Sequence, residues 1–136
     1  MPTPELDVLA ANEAFYDAFA RRDVPAMEAL WSSRDDIACV HPGWEALLGR
    51  REVLSSWRAI MSSPDAPEVE CLGAVAHVMG DVAYVVCNEV LTTAELCATN
   101  LFVREGGAWK LVHHHAGPVA SRMDEPRPKA ARKVLN

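Results

Sequence analysis

The feature that most constrains the fold is a hairpin near the end of the chain, where two runs of β-forming residues meet at Gly106-Gly107. A Gly-Gly pair supplies the positive φ angles that a two-residue hairpin turn requires. Three consecutive histidines end the second run, and successive side chains of a strand point to opposite faces of the sheet. The spacing therefore predicts His113 and His115 on one face and His114 on the other.

The composition of the 136-residue chain is that of one globular domain, with 50% hydrophobic and 24% charged residues. A net charge of -6 argues against nucleic acid or an anionic membrane as a partner. No apolar run is long enough to cross a bilayer, and the first residues lack the pattern of a signal peptide, so we expect a cytoplasmic protein. The four cysteines show no C-x-x-C spacing, which favours buried free thiols over disulfides.

Helical periodicity comes first along the chain and strand periodicity afterwards. Apolar stripes predict three helices, over residues 4–22, 23–31 and 50–61, and a short strand over 37–41. Alternation then predicts four strands, over residues 69–79, 82–91, 96–105 and 108–117, with two-residue turns at 80–81, 93–94 and 106–107. Helices followed by an antiparallel meander indicate an α+β fold. We expect one domain over residues 1–120 and a flexible tail over 121–136.

Residues that oppose each other across a hairpin share a face of the sheet. The predicted turns place Asn100 opposite His113, and Ala98 opposite both Glu89 and His115. One face would then carry a polar row of glutamate, asparagine and two histidines at the end of an apolar floor that includes Phe102. The other face is also largely apolar and would meet a second subunit. A slip of one residue at either turn would exchange the faces.

The polar row predicts acid/base chemistry. Glu89 beside His113 or His115 forms a carboxylate–imidazole pair that titrates near neutral pH, although the same pair would equally anchor a buried histidine structurally. His41 together with the two floor histidines would suit a divalent metal. No tighter metal-binding motif supports that alternative, so we expect no metal and no cofactor.

The four tryptophans divide between core and cavity. Trp31 and Trp109 lie on regular apolar stripes and are expected in the core. Trp44 follows Pro-Gly in a loop and is the better ligand contact, with Trp57 next.

Six local segments between about residue 5 and about residue 120 resemble the NTF2-like fold, most closely its SnoaL-like members, which also resemble ketosteroid isomerases and polyketide cyclases. These segments are Ala29-Leu-Trp31, Cys39-Val-His-Pro-Gly-Trp44, Leu48-Gly-Arg50, Val53-Leu-Ser-Ser-Trp57, Thr99-Asn-Leu-Phe-Val-Arg104 and Trp109-Lys-Leu-Val-His-His-His115. The resemblance implies three N-terminal helices on a strongly curved antiparallel sheet, a conical cavity between them, and a homodimer through the outer sheet face. It also implies that Tyr16, the segment from His41 to Trp44, and Trp57 form the cavity walls.

Three functional hypotheses follow. The first is a dimeric protein that binds a small, largely apolar organic molecule in a buried pocket. The second is an isomerase, cyclase or dehydratase that moves a proton through Glu89 and a histidine. The third is an assembly domain without catalysis. The base and oxyanion-hole set of ketosteroid isomerases does not carry over, because the floor offers no aspartate and Tyr84 falls on the opposite face.

Overall fold

The computed structural model describes residues 3–120 and confirms the α+β class. The helices are α1 (Pro4–Ala20), α2 (Val24–Leu30) and α3 (Arg50–Ser62). The strands are β1 (Ala38–Val40), β2 (Leu47–Leu48), β3 (Glu70–Met79), β4 (Val82–Val90), β5 (Glu95–Glu105) and β6 (Ala108–Pro118). The two-residue strand β2 was not predicted. The expected flexible tail, residues 121–136, lies outside the described residues.

The first two helices begin where their capping residues predict. The Thr3 hydroxyl accepts from the backbone N–H of Leu6 at 3.2 Å, and Asp23 caps α2 in the same way at 3.1 Å. Helix α3 begins differently, at Gly49, whose φ of 90° is open to glycine without strain. The Gly49 N–H donates to the Ile37 carbonyl at 2.8 Å, which ties the start of α3 to the chain just before β1.

The six strands form one sheet in the order β2-β1-β6-β5-β4-β3. The long meander from β3 to β6 is antiparallel, as predicted. Strand β1, however, pairs with β6 in parallel, so the sheet is mixed rather than fully antiparallel. A parallel neighbour needs a long crossover connection, and here α3 and the meander supply it.

A β-bulge in the last hairpin changes which histidine faces inward. A regular hairpin from the Gly-Gly turn would pair Phe102 with Leu111, and the structure has this pair. Leu101, however, pairs with His113, so Val112 is an extra residue in β6. An extra residue interrupts the alternation, and the side chains beyond it exchange faces. Asn100 consequently pairs with His114.

The predicted pairs of Asn100 with His113 and of Ala98 with His115 are therefore wrong. Ala98 pairs with Ala116, and His115 pairs with Thr99. The bulge explains both errors, because a regular hairpin was assumed from the Gly-Gly turn onward.

The connection between β4 and β5 also differs from the prediction. The last paired residues of the two strands are Val90 and Glu95, so the connection is a four-residue loop rather than a two-residue turn at 93–94. Glu89 therefore pairs with Leu96 instead of Ala98. Because this shift is two residues, every side chain keeps its face, and Glu89 and Asn100 remain buried on the helix side.

The core lies between the three helices and the inner face of the sheet. Trp31 and Trp109 belong to it, as predicted, with 2% and 7% of their surface exposed. All four cysteines are free thiols, but Cys97 is exposed on the outer face, so the expectation that all four are buried is wrong. Within residues 3–120, the helices are too short or too polar to cross a membrane.

Candidate functional site

A cavity of about 440 Å³ opens between the inner face of the sheet, α1, α3 and the loop after β1. Its walls are mainly apolar and aromatic, and its polar side chains are few. The aromatic residues are Phe15, Tyr16, Phe19, Trp44 and Trp57, and the other polar residues are His41, Glu89 and His114. A pocket of this size and character suits a small organic molecule.

The aromatic side of the cavity is built around Trp57. Its ring meets Phe15 edge-on at 5.3 Å between centroids and His41 at 4.8 Å, and Phe19 packs at 5.9 Å. Trp44 packs against the other side of this group, 4.8 Å from the His41 ring, and 48% of its surface is exposed. The two tryptophans selected from the sequence therefore both line the cavity, Trp57 within it and Trp44 at its rim.

A chain of hydrogen bonds converges on Glu89 at the polar end of the cavity. The Tyr16 hydroxyl donates to Glu89 Oε2 at 2.6 Å, and Asn100 Nδ2 donates to the Tyr16 oxygen at 3.1 Å. Asn100 Nδ2 also donates to Asn12 Oδ1 at 2.8 Å. Asn100, which is fully buried, thus uses both of its amide protons.

The same network determines the tautomer of His114. Its Nδ1 lies 2.5 Å from Asn100 Oδ1, which is an acceptor, so Nδ1 carries the proton and Nε2 carries a lone pair. Nε2 lies 4.0 Å from Glu89 Oε2. That approach would be an ion pair only for a doubly protonated imidazole. Burial, followed by the nearby histidines, lowers the pKa of His114 to about 3, so the ring is neutral and the pair is not a salt bridge.

Burial also changes the acidity of the two oxygen acids. The pKa of Glu89 is raised by loss of solvent, and the hydrogen bond from Tyr16 opposes that rise only in part. The pKa of Tyr16 is raised well above its ordinary value by burial and by the Glu89 charge, so the hydroxyl keeps its proton. The carboxyl of Glu89 is therefore the group at this end that exchanges a proton most readily.

The second imidazole of the cavity, His41, is held by α3. The Ser56 hydroxyl donates to the Val53 carbonyl at 2.7 Å, and its oxygen lies 2.9 Å from His41 Nε2. Because the single hydroxyl proton is already used, Nε2 must be the donor and Nδ1 is left unprotonated. Burial lowers the pKa of His41 to about 4, which makes this ring neutral as well.

Two of the three predicted catalytic residues lie away from the cavity. His113 and His115 are on the outer face, where His113 Nδ1 donates to the Ala38 carbonyl at 3.0 Å and His115 is exposed. Their predicted placement beside Glu89 is wrong because of the bulge, and His114 occupies that place. The catalytic role of Glu89 stays a prediction.

The alternative metal site of His41 with His113 and His115 is wrong for the same reason, since its members lie on opposite faces of the sheet. Within the described part of the chain, no other cluster of three histidine, cysteine or acidic side chains could hold a metal ion.

The predicted ligand contacts fall into two layers. Tyr16 and His41 line the cavity together with the two tryptophans. Asn100 lies behind the wall and acts on the cavity through Tyr16 and His114. Phe102 is buried in the core beneath the site.

Sequence reasoning missed Asn12 and Ser56. A signal for Asn12 was present, because it follows Val8 by four residues on the buried stripe of α1. A polar residue at a core position of a helix needs a polar partner. No comparable signal marks Ser56, since serine is common at exposed positions of a helix.

Comparison with known proteins identifies the family. A model described as the SnoaL-like domain matches residues 8–121. A proposed dehydratase of the NTF2-like family from Streptomyces avermitilis is 36% identical, with a TM-score of 0.77 over 85% of this chain and 95% of that one. A proposed calcium/calmodulin-dependent protein kinase type II association domain from Thiobacillus denitrificans is 33% identical, with a TM-score of 0.76 over 88% and 98%.

A curated relative is longer than this chain. The F-box protein SKIP8 from Arabidopsis thaliana is 26% identical over 111 residues, which is 80% of this chain and 48% of that protein. The chain thus spans about half the length of this relative.

Proposed function

Because this chain belongs to the SnoaL-like domain family, we propose that its cavity binds a small, largely apolar organic molecule and moves a proton on it. The observation that carries the proposal is the buried carboxyl of Glu89 beside a neutral His114, at the polar end of an aromatic cavity. This proposal joins the binding and proton-transfer hypotheses reached from the sequence, with His114 as the histidine.

Glu89 is the proposed base. A carboxylate withdrawn from water is a stronger base than one in solution, because its charged form has lost solvation. In the proposed reaction it removes a proton from carbon and returns it to another atom of the same molecule. Return to carbon gives an isomer, and return to a departing hydroxyl releases water. The similarity to the proposed dehydratase from Streptomyces avermitilis supports the second outcome.

Tyr16 and Asn100 are the proposed positioning residues. The Tyr16 hydroxyl holds Glu89 Oε2, and Asn100 holds both Tyr16 and the His114 ring. Side chains locked in this way keep a base in one geometry, which is what proton transfer to a bound molecule needs.

The test uses ring opening of 5-nitrobenzisoxazole, a flat aromatic probe whose single chemical step is removal of a proton from carbon by a base. We expect the full chain to accelerate this reaction. Replacement of the base, Glu89→Gln, should lower the rate by about a hundredfold or more, in line with the usual contribution of a general base.

The matched control is His113→Gln on the outer face, which should leave the rate unchanged. A rate that equals the buffer reaction would contradict the proposal. So would a Glu89→Gln variant that is folded by circular dichroism and as fast as the unmodified protein. Native mass spectrometry of the purified chain would complement this test, because a co-purifying organic molecule would identify the ligand class directly.

A second candidate function, assembly of copies of this chain, is favoured by the outer face of the sheet. Three valines and a methionine are exposed there on β3 and β4: Val75 at 45%, Val82 at 36%, Val86 at 38% and Met79 at 59%. Exposed apolar side chains that cluster on one sheet face are typical of an interface. The similarity to the kinase association domain from Thiobacillus denitrificans points the same way.

We expect a homodimer through this face. Light scattering coupled to size exclusion should give twice the chain mass for the unmodified protein and a single chain mass for Val86→Lys. A lysine in place of exposed Ala59 on α3 is the matched control and should stay dimeric. A monomeric unmodified protein would end the assembly proposal and leave the cavity proposal intact.

The remaining parts of the proposal are the compartment and the cofactor. Four free cysteines fit the expected cytoplasmic location, because reducing compartments keep thiols unpaired. The proposed proton transfer uses side chains alone and needs no cofactor.

A further inference from the structure

We propose that the ligand carries a hydroxyl or amine group that donates its proton to His114 or Glu89, and that carbonyl compounds of the same shape bind poorly. This inference rests on the proposed function, because it concerns the ligand of the same cavity. At the polar end of the cavity the side chains offer hydrogen-bond acceptors, whereas their own donor protons are already used in hydrogen bonds to other side chains.

The donor protons of Asn100 and Tyr16 are all used in hydrogen bonds to other side chains. Both amide protons of Asn100 are used, one on Asn12 and one on the Tyr16 oxygen. The single hydroxyl proton of Tyr16 is used on Glu89 Oε2. Neither residue has a proton left for a ligand.

The two imidazoles of the cavity also have their protons in use. His114 donates its Nδ1 proton to Asn100, and His41 donates its Nε2 proton to Ser56. Since both rings are neutral, each has one proton, and that proton points away from the cavity. His114 Nε2 and His41 Nδ1 therefore each carry a lone pair and can only accept a hydrogen bond.

The indole N–H of Trp57 is fully buried and makes no hydrogen bond within residues 3–120, so this proton is not exposed to the cavity. Trp44, whose ring packs on His41 at the rim, carries the other indole N–H of the lining. At the end where Glu89 and His114 meet, ionised Glu89 and neutral His114 both accept.

An acceptor-only end discriminates between ligands by hydrogen bonding. A ligand O–H or N–H satisfies Nε2 or the carboxylate, whereas a ligand carbonyl meets a lone pair and loses its own hydration without a partner. The separation of 4.0 Å between His114 Nε2 and Glu89 Oε2 adds a second criterion. For a ligand atom at hydrogen-bond distance from both acceptors, the angle at that atom between the two acceptors is about 90°. An amine nitrogen with two protons can donate in both directions, whereas a hydroxyl has a single proton to donate.

The experiment compares three compounds with one apolar body, 2-indanol, 2-indanone and 2-aminoindane, by isothermal titration calorimetry on the full chain at pH 8.5. Because burial raises the pKa of Glu89, the alkaline pH is chosen to favour the ionised carboxylate, which cannot donate. We expect the alcohol or the amine to bind about tenfold or more tightly than the ketone, the usual penalty for an unpaired buried polar group. At this pH most of the 2-aminoindane carries a positive charge, so the comparison of the alcohol with the ketone, which are both neutral, is the one that tests the inference.

A variant separates this effect from general affinity. His114→Phe should remove most of the preference for the alcohol over the ketone, while His113→Phe on the outer face should preserve it. Nitrogen-15 NMR of the unmodified protein adds a readout that needs no variant, because it should find His114 protonated at Nδ1.

The outcomes distinguish the two proposals. Equal or tighter binding of the ketone, or a His114 ring protonated at Nε2, would overturn the acceptor-only inference and leave the proposed function standing. If none of the three compounds binds, while the benzisoxazole reaction still depends on Glu89, the inference fails and the base remains. If neither binding nor ring opening is detected, the proposed function fails, and this inference fails with it.

Discussion

Asn100 is the residue whose replacement should reveal most about the site, because three side chains depend on it. It is 0% exposed and joins Asn12, Tyr16 and His114 through hydrogen bonds of 2.8, 3.1 and 2.5 Å. In Asn100→Leu, Asn12 Oδ1 and His114 Nδ1 lose these partners, at a cost of about 1–3 kcal/mol each. The added apolar burial of leucine returns about 1–2 kcal/mol. The net loss in free energy of unfolding should lie within about 0–5 kcal/mol, with a central value of about 2.5 kcal/mol.

The assay is urea denaturation followed by circular dichroism, at one protein concentration for all variants. Asn88→Leu is the matched control, since this half-buried asparagine is on the outer face of the neighbouring strand and should change the free energy of unfolding by less than about 1 kcal/mol. The dimer expected through the outer face should persist in Asn100→Leu, while affinity for 2-indanol should fall. An Asn100→Leu variant more stable than the unmodified protein would refute the network, because two stranded polar groups cost at least as much as the burial of leucine returns.

Three further predictions concern titration and thiol reactivity. Burial raises the pKa of Glu89 in the folded protein above its pKa in the unfolded chain, so ionisation of this carboxyl opposes folding as the pH rises. Glu89→Gln removes this penalty. In urea denaturation, its stability relative to the unmodified protein should therefore increase between pH 5 and pH 8. The native pKa of His41, about 4, lies below its ordinary value, so its contribution to stability is complete above pH 6.5 and is lost as pH falls toward 4. His41→Phe should accordingly lose less stability than the unmodified protein over that acid range, and an equal loss would contradict the assignment. Exposed Cys97 should be the fast-reacting thiol among the four when titrated with a chromogenic disulfide, and Cys97→Ser should abolish the fast phase.

Much of the site was predictable because short-range rules determined it. Glu89 was correctly placed on the inner face, since an error of two residues in the β4–β5 register leaves the face of each side chain unchanged. The apolar periodicity of α3 already indicated the buried side of Trp57, whereas Tyr16 was placed on the cavity wall by the resemblance to the NTF2-like fold. Trp44 was predicted to contact ligand because Pro-Gly interrupts the chain before it, and it lies at the cavity rim.

The histidines show where such rules stop. Alternation from the Gly-Gly turn correctly predicts the pairs nearest the turn and fails after Val112, because a single extra residue reverses every face beyond it. No local signal in Leu-Val-His-His-His marks the bulge. The pairing of β1 with β6, which lies beyond the bulge, brings together residues 75 positions apart, such as Ala38 and His113.

Local sequence patterns specify the three helices and all strands except β2, their order, the α+β class and the stripes that form the core. These properties follow from side-chain periodicity and from capping and turn residues, which act over a few neighbours. Only the tertiary structure determines that His114, rather than His113 or His115, meets Glu89, and that Tyr16 and Asn100 use their protons on neighbouring side chains. These properties depend on a strand register and on contacts between residues as far apart as Asn12 and Asn100, which local preferences do not encode.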